Sequence, residues 1–155
     1  MAKELAEGDP APDFELSTGG GRTRLSDLRG KPAVIYFYPK DDTSGCTAEA
    51  IAFNGLRHEF ADAGTVVIGV SPDSAASHDK FKSKHDLKIA LAADPERSAI
   101  ARYGVWKEKS MYGRKYFGVE RSTFLIDRNG RLAKVWRKVK VPGHAEEVLA
   151  AAKAL

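Results

Sequence analysis

Apolar residues along the chain fall into short continuous runs separated by longer stretches with helical spacing. The first run, residues 33–38 (AVIYFY), is uninterrupted and rich in β-branched and aromatic residues, and Pro39 follows it. This pattern is typical of a strand that is buried on both faces of a parallel sheet. Residues 65–70 repeat the pattern, and the shorter run at residues 89–92 predicts a third strand.

Helical patterns alternate with these strands. They predict helices over residues 44–63, 74–84 and 97–103, and a last helix over residues 144–155. Five residues of the first predicted helix fall on one face: Cys46, Ala50, Phe53, Leu56 and Phe60. The chain also predicts two antiparallel pairs of strands, one around the glycines at 19–21 and one around Asn129-Gly130 over residues 122–139.

Strands that alternate with helices predict an α/β fold. We expect a mixed central sheet flanked by helices on both faces, with an N-terminal β extension. The 155 residues suit a single domain over residues 1–155.

Composition and charge narrow the classes of partner. The hydrophobic fraction of 43% supports a core, and no segment reaches the roughly 18 apolar residues needed to span a bilayer. A net charge of +4, from 25 basic and 21 acidic residues, predicts no nucleic-acid partner. The acidic, Pro-rich start differs from a secretory signal, and one cysteine cannot form an intrachain disulfide, so we expect a cytoplasmic protein without membrane partners.

Cys46 is the candidate nucleophile because it lies in the first turn of a predicted helix, just after a buried strand. Backbone N–H groups there have no partner inside the helix, and the helix dipole places partial positive charge at that end. Both effects favour a thiolate, which is the reactive form of cysteine. Free cysteines are also often inert core residues, and Thr43 has a simple alternative role as the N-cap of the helix.

The segment that contains Cys46 resembles the active-site pattern of the peroxiredoxins, Pro-x-x-x-Thr-x-x-Cys. Residues 39–49 (PKDDTSGCTAE) are most similar to the bacterioferritin comigratory protein, or Q-type, branch of that family. The similarity extends to residues 8–14 (GDPAPDF), 69–73 (GVSPD) and 120–127 (ERSTFLID), and therefore covers nearly the whole chain. The resemblance implies a thioredoxin-like fold.

The same resemblance implies a thiol-dependent peroxidase that reduces hydrogen peroxide and organic hydroperoxides. Cys46 would attack the peroxide and become a sulfenic acid. Thr43 would bind and orient the peroxide, and Pro39 would shield the pocket. Arg121 would stabilise the thiolate and the charge on the leaving oxygen, although a surface ion pair with Glu120 or Asp127 is the ordinary alternative.

Two further residues are possible members of the pocket. Glu49 lies one turn after Cys46, where it would anchor Arg121 or simply be a favourable acid in the first turn of a helix. Tyr38 would line the pocket or serve as a core aromatic.

The chain departs from the family pattern because it has no second cysteine. Many members of the branch carry a resolving cysteine five residues after the first, where this chain has Ile51, and others carry it in the following helix. We therefore expect the sulfenic acid to be reduced by an external thiol, namely glutathione, a glutaredoxin or a thioredoxin. The resemblance is compatible with a monomer or a homodimer, and an intersubunit Cys46–Cys46 disulfide stays open.

Other features of the sequence predict no bound group. The histidines His58, His78, His85 and His144 show no metal-ligand spacing, so we expect surface or capping roles for them, no metal and no organic cofactor. The basic and aromatic residues 107–117 predict a loop beside the pocket, with docking of a reductant or a subunit as the alternative.

Two other functions are weighed against the peroxidase. A thioredoxin-like disulfide reductase needs Cys-x-x-Cys, whereas residues 43–46 read Thr-Ser-Gly-Cys, which leaves only one-thiol exchange open. A non-enzymatic binding module would have an inert Cys46.

Overall fold

The computed structural model describes residues 4–155 as nine β-strands and five α-helices. The strands are β1 (Glu15–Thr18), β2 (Gly21–Arg24), β3 (Ala33–Phe37), β4 (Val66–Ser71), β5 (Ala90–Ala93), β6 (Trp106–Met111), β7 (Arg114–Val119), β8 (Ser122–Ile126) and β9 (Leu132–Trp136). The helices are α1 (Ser44–Gly55), α2 (Arg57–Asp62), α3 (Ala75–His85), α4 (Ser98–Arg102) and α5 (His144–Lys153), with a 3-10 turn at Leu25–Leu28.

Seven strands form one mixed sheet in the order β2-β1-β5-β4-β3-β8-β9. The central pairs β3–β4 and β4–β5 are parallel, and β8 and β9 add antiparallel strands on the other side of β3. The antiparallel pair β1–β2 extends the opposite edge by pairing with β5. The predicted mixed sheet and its N-terminal β extension are therefore confirmed.

Strand β3 divides the core into two layers because its alternate side chains point to opposite faces of the sheet. Ala33, Ile35 and Phe37 pack into one layer, and Val34 and Tyr36 pack into the other, with every residue of β3 buried. The second layer also contains Tyr38, Cys46, Ala50, Phe53, Phe60, Phe81 and Val148. Helix α1 therefore lies on this layer, and its first turn stands beside the carboxyl end of the central strand.

The helix predicted over residues 44–63 is in fact two helices, α1 and α2, separated at Leu56. Gly55 is a poor helix former, and two bonds at Asn54 favour the break. The Arg57 guanidinium donates to the Asn54 carbonyl at 2.9 Å, and the Lys88 backbone N–H donates to the Asn54 side-chain oxygen at 2.6 Å. Leu56 consequently leaves helical geometry, with ψ of 9°.

The segment predicted as a loop beside the pocket is a second, two-stranded sheet made of β6 and β7. Its turn is Tyr112-Gly113, and both residues have positive φ, at 53° and 78°. Positive φ at both central residues matches the type of turn that joins the strands of a tight hairpin. The hairpin was missed because only the Gly signals a turn in this Lys-rich stretch.

Among the helices that the structure describes over residues 4–155, none has the length and the apolar character that a crossing of the membrane needs.

Candidate active site

Cys46 is the third residue of α1, and its side chain is only 2% exposed. The first backbone bond of the helix runs from Thr47 N–H to the Thr43 carbonyl at 2.8 Å. The N–H groups of the preceding turn, including that of Cys46, therefore lack partners inside the helix. The Cys46 sulfur thus lies at the positive end of the helix dipole.

Arg121 lies directly against this sulfur. It precedes β8, which pairs with β3, and its Nη2 is 3.3 Å from Cys46 Sγ. Gly45 gives the guanidinium room, because a Cβ built at position 45 would stand only 3.2 Å from the same nitrogen. A cationic donor at this position favours the thiolate over the thiol.

Glu49 holds the other end of the guanidinium. Its Oε1 accepts a hydrogen bond from Arg121 Nη1 at 2.6 Å, and the Glu49 side chain is 1% exposed. Burial alone would lower the pKa of Arg121, but the neighbouring Glu49 and Cys46 outweigh burial and raise it. The guanidinium is therefore a fixed positive charge between a carboxylate and a sulfur.

The carboxyl group of Glu49 is itself perturbed. Burial raises its pKa to about 7, against the lowering effect of Arg121. Its second oxygen, Oε2, is buried and makes no hydrogen bond to the described residues. Glu49 therefore changes its charge close to neutral pH, within contact of the residue that binds the sulfur.

Thr43 stands at the N-cap position of α1, but its hydroxyl does not cap the helix. It donates instead to the Lys40 carbonyl at 2.9 Å, within the loop that precedes the helix. The proton of the hydroxyl is thereby used, and the lone pairs of the oxygen stay free to accept a bond from a ligand. Pro39 is half-buried in the same loop, directly after Tyr38.

Tyr38 belongs to the core rather than to an open pocket. It is 1% exposed, and its ring stacks on that of Tyr36 with centroids 5.7 Å apart. Its hydroxyl donates to Asp41 Oδ1 at 2.6 Å. The side chain thus connects the layer that contains Cys46 to the loop before α1.

Asp41 is the centre of a buried polar cluster that sequence reasoning missed. Besides Tyr38, its carboxylate accepts from the Ser77 hydroxyl at 2.7 Å and from His78 Nδ1 at 2.7 Å. His78 Nε2 also faces an acceptor, the Ala92 carbonyl at 3.0 Å. Both ring nitrogens of His78 therefore lie within hydrogen-bond distance of an acceptor, and Asp41 is the partner of one of them.

The expectation of surface or capping roles was therefore wrong for His78, which is 2% exposed and joins α3 to the loop before α1. It was also wrong for His144. That residue is 5% exposed, and its Nε2 lies 2.8 Å from the Thr123 hydroxyl. A histidine in an amphipathic helix gives little sign of its partner when that partner is far away in the chain, as Asp41 is from His78.

The comparisons with known proteins agree with this geometry. The model of the AhpC/TSA family matches residues 7–135 of the chain. "Peroxiredoxin Bcp" of Bacillus subtilis (strain 168) is 52% identical over 143 residues, which are 92% of this chain and 91% of that protein. A "Putative peroxiredoxin bcp" of Coxiella burnetii is 47% identical over 92% of this chain and 95% of its own length.

Solved structures give the same result for the fold. Peroxiredoxin Q of Xanthomonas campestris superposes with a TM-score of 0.87 at 48% identity, over 91% of this chain and 90% of that one. A cysteine-to-serine variant of Xylella fastidiosa PrxQ superposes with a TM-score of 0.92 at 40% identity, over 99% and 98%. The expected thioredoxin-like fold is confirmed by these neighbours.

One difference from these relatives concerns cysteine. The Xanthomonas campestris protein has been solved as two variants in which different cysteines are replaced by serine. It therefore has at least two cysteines, whereas this chain has one.

We predict that Asp41→Asn lowers the free energy of unfolding by about 3 kcal/mol, because it removes a buried carboxylate that accepts three side-chain hydrogen bonds. Burial alone would raise the pKa of Asp41, but the bonds from His78, Tyr38 and Ser77 outweigh burial and lower it. The stabilisation by Asp41 is hence complete above the unfolded-state pKa and is lost as the pH falls through the folded-state pKa. Denaturant unfolding between neutral and acidic pH measures both effects.

The matched control is Asp42→Asn at the next position. Asp42 pairs with Lys84 and His85 at the surface, and such pairs contribute little to stability. An equal loss of stability in the two variants would contradict the role assigned to the buried cluster.

Proposed function

The chain belongs to the AhpC/TSA family and is a peroxiredoxin, a thiol-dependent peroxidase, and from this premise we propose that Cys46 is the residue that attacks the peroxide. The observation that carries the proposal is the contact of 3.3 Å between Arg121 Nη2 and Cys46 Sγ at the N-terminus of α1. The guanidinium and the N-terminus of the helix both place positive potential at the sulfur of Cys46, the single cysteine of the sequence.

In the proposed first step, the Cys46 thiolate attacks the terminal oxygen of a hydroperoxide. The S–O bond forms as the O–O bond breaks, and the leaving oxygen takes a proton to become water or an alcohol. The sulfur is oxidised to a sulfenic acid, and the peroxide is reduced. Arg121 stabilises the thiolate first, and then the negative charge that develops on the leaving oxygen.

Thr43 and Pro39 shape the approach of the peroxide. The Thr43 hydroxyl donates its hydrogen bond to the Lys40 carbonyl, so its oxygen accepts a bond from the peroxide O–H and orients the O–O bond. Pro39 keeps water from the sulfur on the side of the loop. Hydrogen peroxide and organic hydroperoxides are the proposed substrates, in keeping with the alkyl peroxide reduction activity of the Xanthomonas campestris relative.

The second half of the cycle needs a thiol from outside the chain, since the sequence has one cysteine. An external thiol attacks the sulfenic sulfur, water leaves, and a mixed disulfide forms; a second thiol then releases the Cys46 thiolate. Glutathione, a glutaredoxin or a thioredoxin would supply these thiols in the cytoplasm. The proposed assembly is a monomer or a homodimer, and in a homodimer the burial of Cys46 disfavours an intersubunit disulfide, because two buried sulfurs would have to meet.

We predict that Arg121→Ala slows the oxidation of Cys46 by hydrogen peroxide about 100-fold, because loss of one preorganised donor to a developing anion costs that order in rate. Stopped-flow fluorescence of Trp106 and Trp136 measures the rate, with Cys46→Ser as the blank. Arg22→Ala is the control, since Arg22 is an exposed residue of β2. A rate for the Arg121 variant within a factor of two of the control would refute the proposed role.

We predict that Glu49→Gln removes one titration near pH 7 from the rate of Cys46 oxidation. In the unaltered protein, Glu49 gains a proton as the pH falls through about 7, and the ion pair between Glu49 and Arg121 weakens. The rate should therefore rise with pH through this range, whereas the Gln variant should be slower at pH 8 and lack this step. Glu120→Gln is the control, and retention of the step in Glu49→Gln would exclude Glu49 as its source.

A further inference from the structure

The hairpin formed by β6 and β7 is the only pair of strands in the described fold that lies outside the main sheet, and the proposed peroxide chemistry does not use it. Its strands pair with each other from Trp106↔Val119 to Met111↔Arg114. Several of its apolar side chains are exposed, among them Met111 at 56%, Tyr116 at 43% and Tyr112 at 98%. Exposed apolar groups gathered on one element often mark a surface of interaction.

The register of the hairpin separates its side chains into two faces, because directly opposed residues of an antiparallel pair share a face. On one face, side chains contact each other and a residue elsewhere in the chain. Trp106 stacks with Phe117 at 6.5 Å and lies under the Arg97 guanidinium at 4.5 Å. On the same face, Lys115 pairs with Glu108 at 3.6 Å.

The other face, which we call the basic face, has a different composition. It is made of Lys107, Lys109, Met111, Arg114, Tyr116 and Gly118. Three of its residues are cationic (Lys107, Lys109 and Arg114), and none is acidic. The lysines are half-buried, whereas Met111, Arg114 and Tyr116 are exposed.

The strand that carries half of the basic face leads directly to the residue that contacts Cys46. Strand β7 ends at Val119, two residues before the guanidinium that contacts the sulfur. Burial lowers the pKa of Lys109, and the positive charge of Arg121 lowers it further, while Cys46 and Glu120 oppose the change. The Lys109 ammonium is thus within electrostatic reach of Arg121 and Cys46, and Glu120 is the one acidic group among these influences.

We propose that the basic face docks an acidic protein that carries the reducing thiols. The inference rests on the proposed function, in which the Cys46 sulfenic acid needs a thiol from outside the chain. The cationic residues of this face are complementary in charge to an acidic protein surface and attract it before contact. Met and Tyr are residue types that are enriched in protein interfaces. The docked protein forms a mixed disulfide with Cys46 and releases water, and its second thiol then frees the Cys46 thiolate.

The extent and charge of the basic face favour this occupant over two others. From Lys107 to Met111 the strand spans about 13 Å at the usual rise of a β-strand, and a tripeptide thiol bound at Cys46 would leave its outer, apolar end uncovered. A second copy of this chain would bring its own cations against those of the first. Like charges that face each other across an interface suppress such a pairing.

The test uses a double charge reversal, Lys107→Glu with Arg114→Glu, in the full-length protein. The probes are a thioredoxin and a glutaredoxin of net negative charge, kept reduced, with dithiothreitol and glutathione as small thiols. We expect kcat/KM for the acidic protein reductants to fall at least about tenfold. High salt should lower kcat/KM of the unaltered protein for the same reductants, because it screens exposed charges.

Two controls keep the result specific to docking. Lys115→Glu reverses a charge on the opposite face of the same strand, and it should leave kcat/KM unchanged. The rate of Cys46 oxidation by peroxide and the turnover with dithiothreitol should be the same in all variants. A failure of Cys46 to oxidise in the unaltered protein would be a failure of the proposed function, and this measurement separates it from a failure of docking.

Four outcomes would overturn the docking proposal. The first is an unchanged kcat/KM for the acidic proteins in the double variant. The second is turnover of the unaltered protein by those proteins no faster than by dithiothreitol. The third is dependence on the basic face with glutathione alone. The fourth is a change of oligomeric state in the double variant, which would show that a second copy occupies the face.

Discussion

The double contact of the Arg121 guanidinium is the interaction on which the rest of the site depends. One nitrogen donates to Glu49 at 2.6 Å, and the other lies 3.3 Å from Cys46 Sγ. Each contact requires the burial of a charge, and burial disfavours both the Glu49 carboxylate and the guanidinium. The fold holds the three groups together, and the positive charge thereby stays next to the sulfur before any peroxide arrives. Such preorganised charge is the largest source of rate in many enzymes.

Each element of the fold contributes to the position of that charge. Strand β3 pairs side by side with β8, and its carboxyl end leads into the loop before α1. Arg121, just before β8, and Cys46, in the first turn of α1, therefore lie at the same end of the sheet. The buried Asp41–His78 pair then fixes the loop against α3. The proposed attack by Cys46 would gain from this rigidity, because the sulfur and its donors must stay within hydrogen-bond geometry of each other.

Much of this arrangement was accessible from the sequence, for identifiable reasons. The buried strand at residues 33–37 was visible as a continuous apolar run, and the position of Cys46 after it followed from helical spacing and the family motif. The hairpin at 106–119 was not, since its strands mix charged residues with apolar ones, such as Phe117, that stay exposed and give no alternating pattern. The role of His78 was also hidden, because its partner Asp41 lies in another element and no local pattern connects the two.

The most direct test of the account is to mix the reduced protein, without oxygen, with one equivalent of hydrogen peroxide and a reagent that traps sulfenic acids. We expect rapid addition of a single trap molecule, mapped by mass to Cys46, and none when a thiol is present to reduce the sulfenic acid first. Oxidation of Cys46 no faster than that of an ordinary free thiol would contradict the claim that Arg121 and the N-terminus of α1 prepare this sulfur for peroxide.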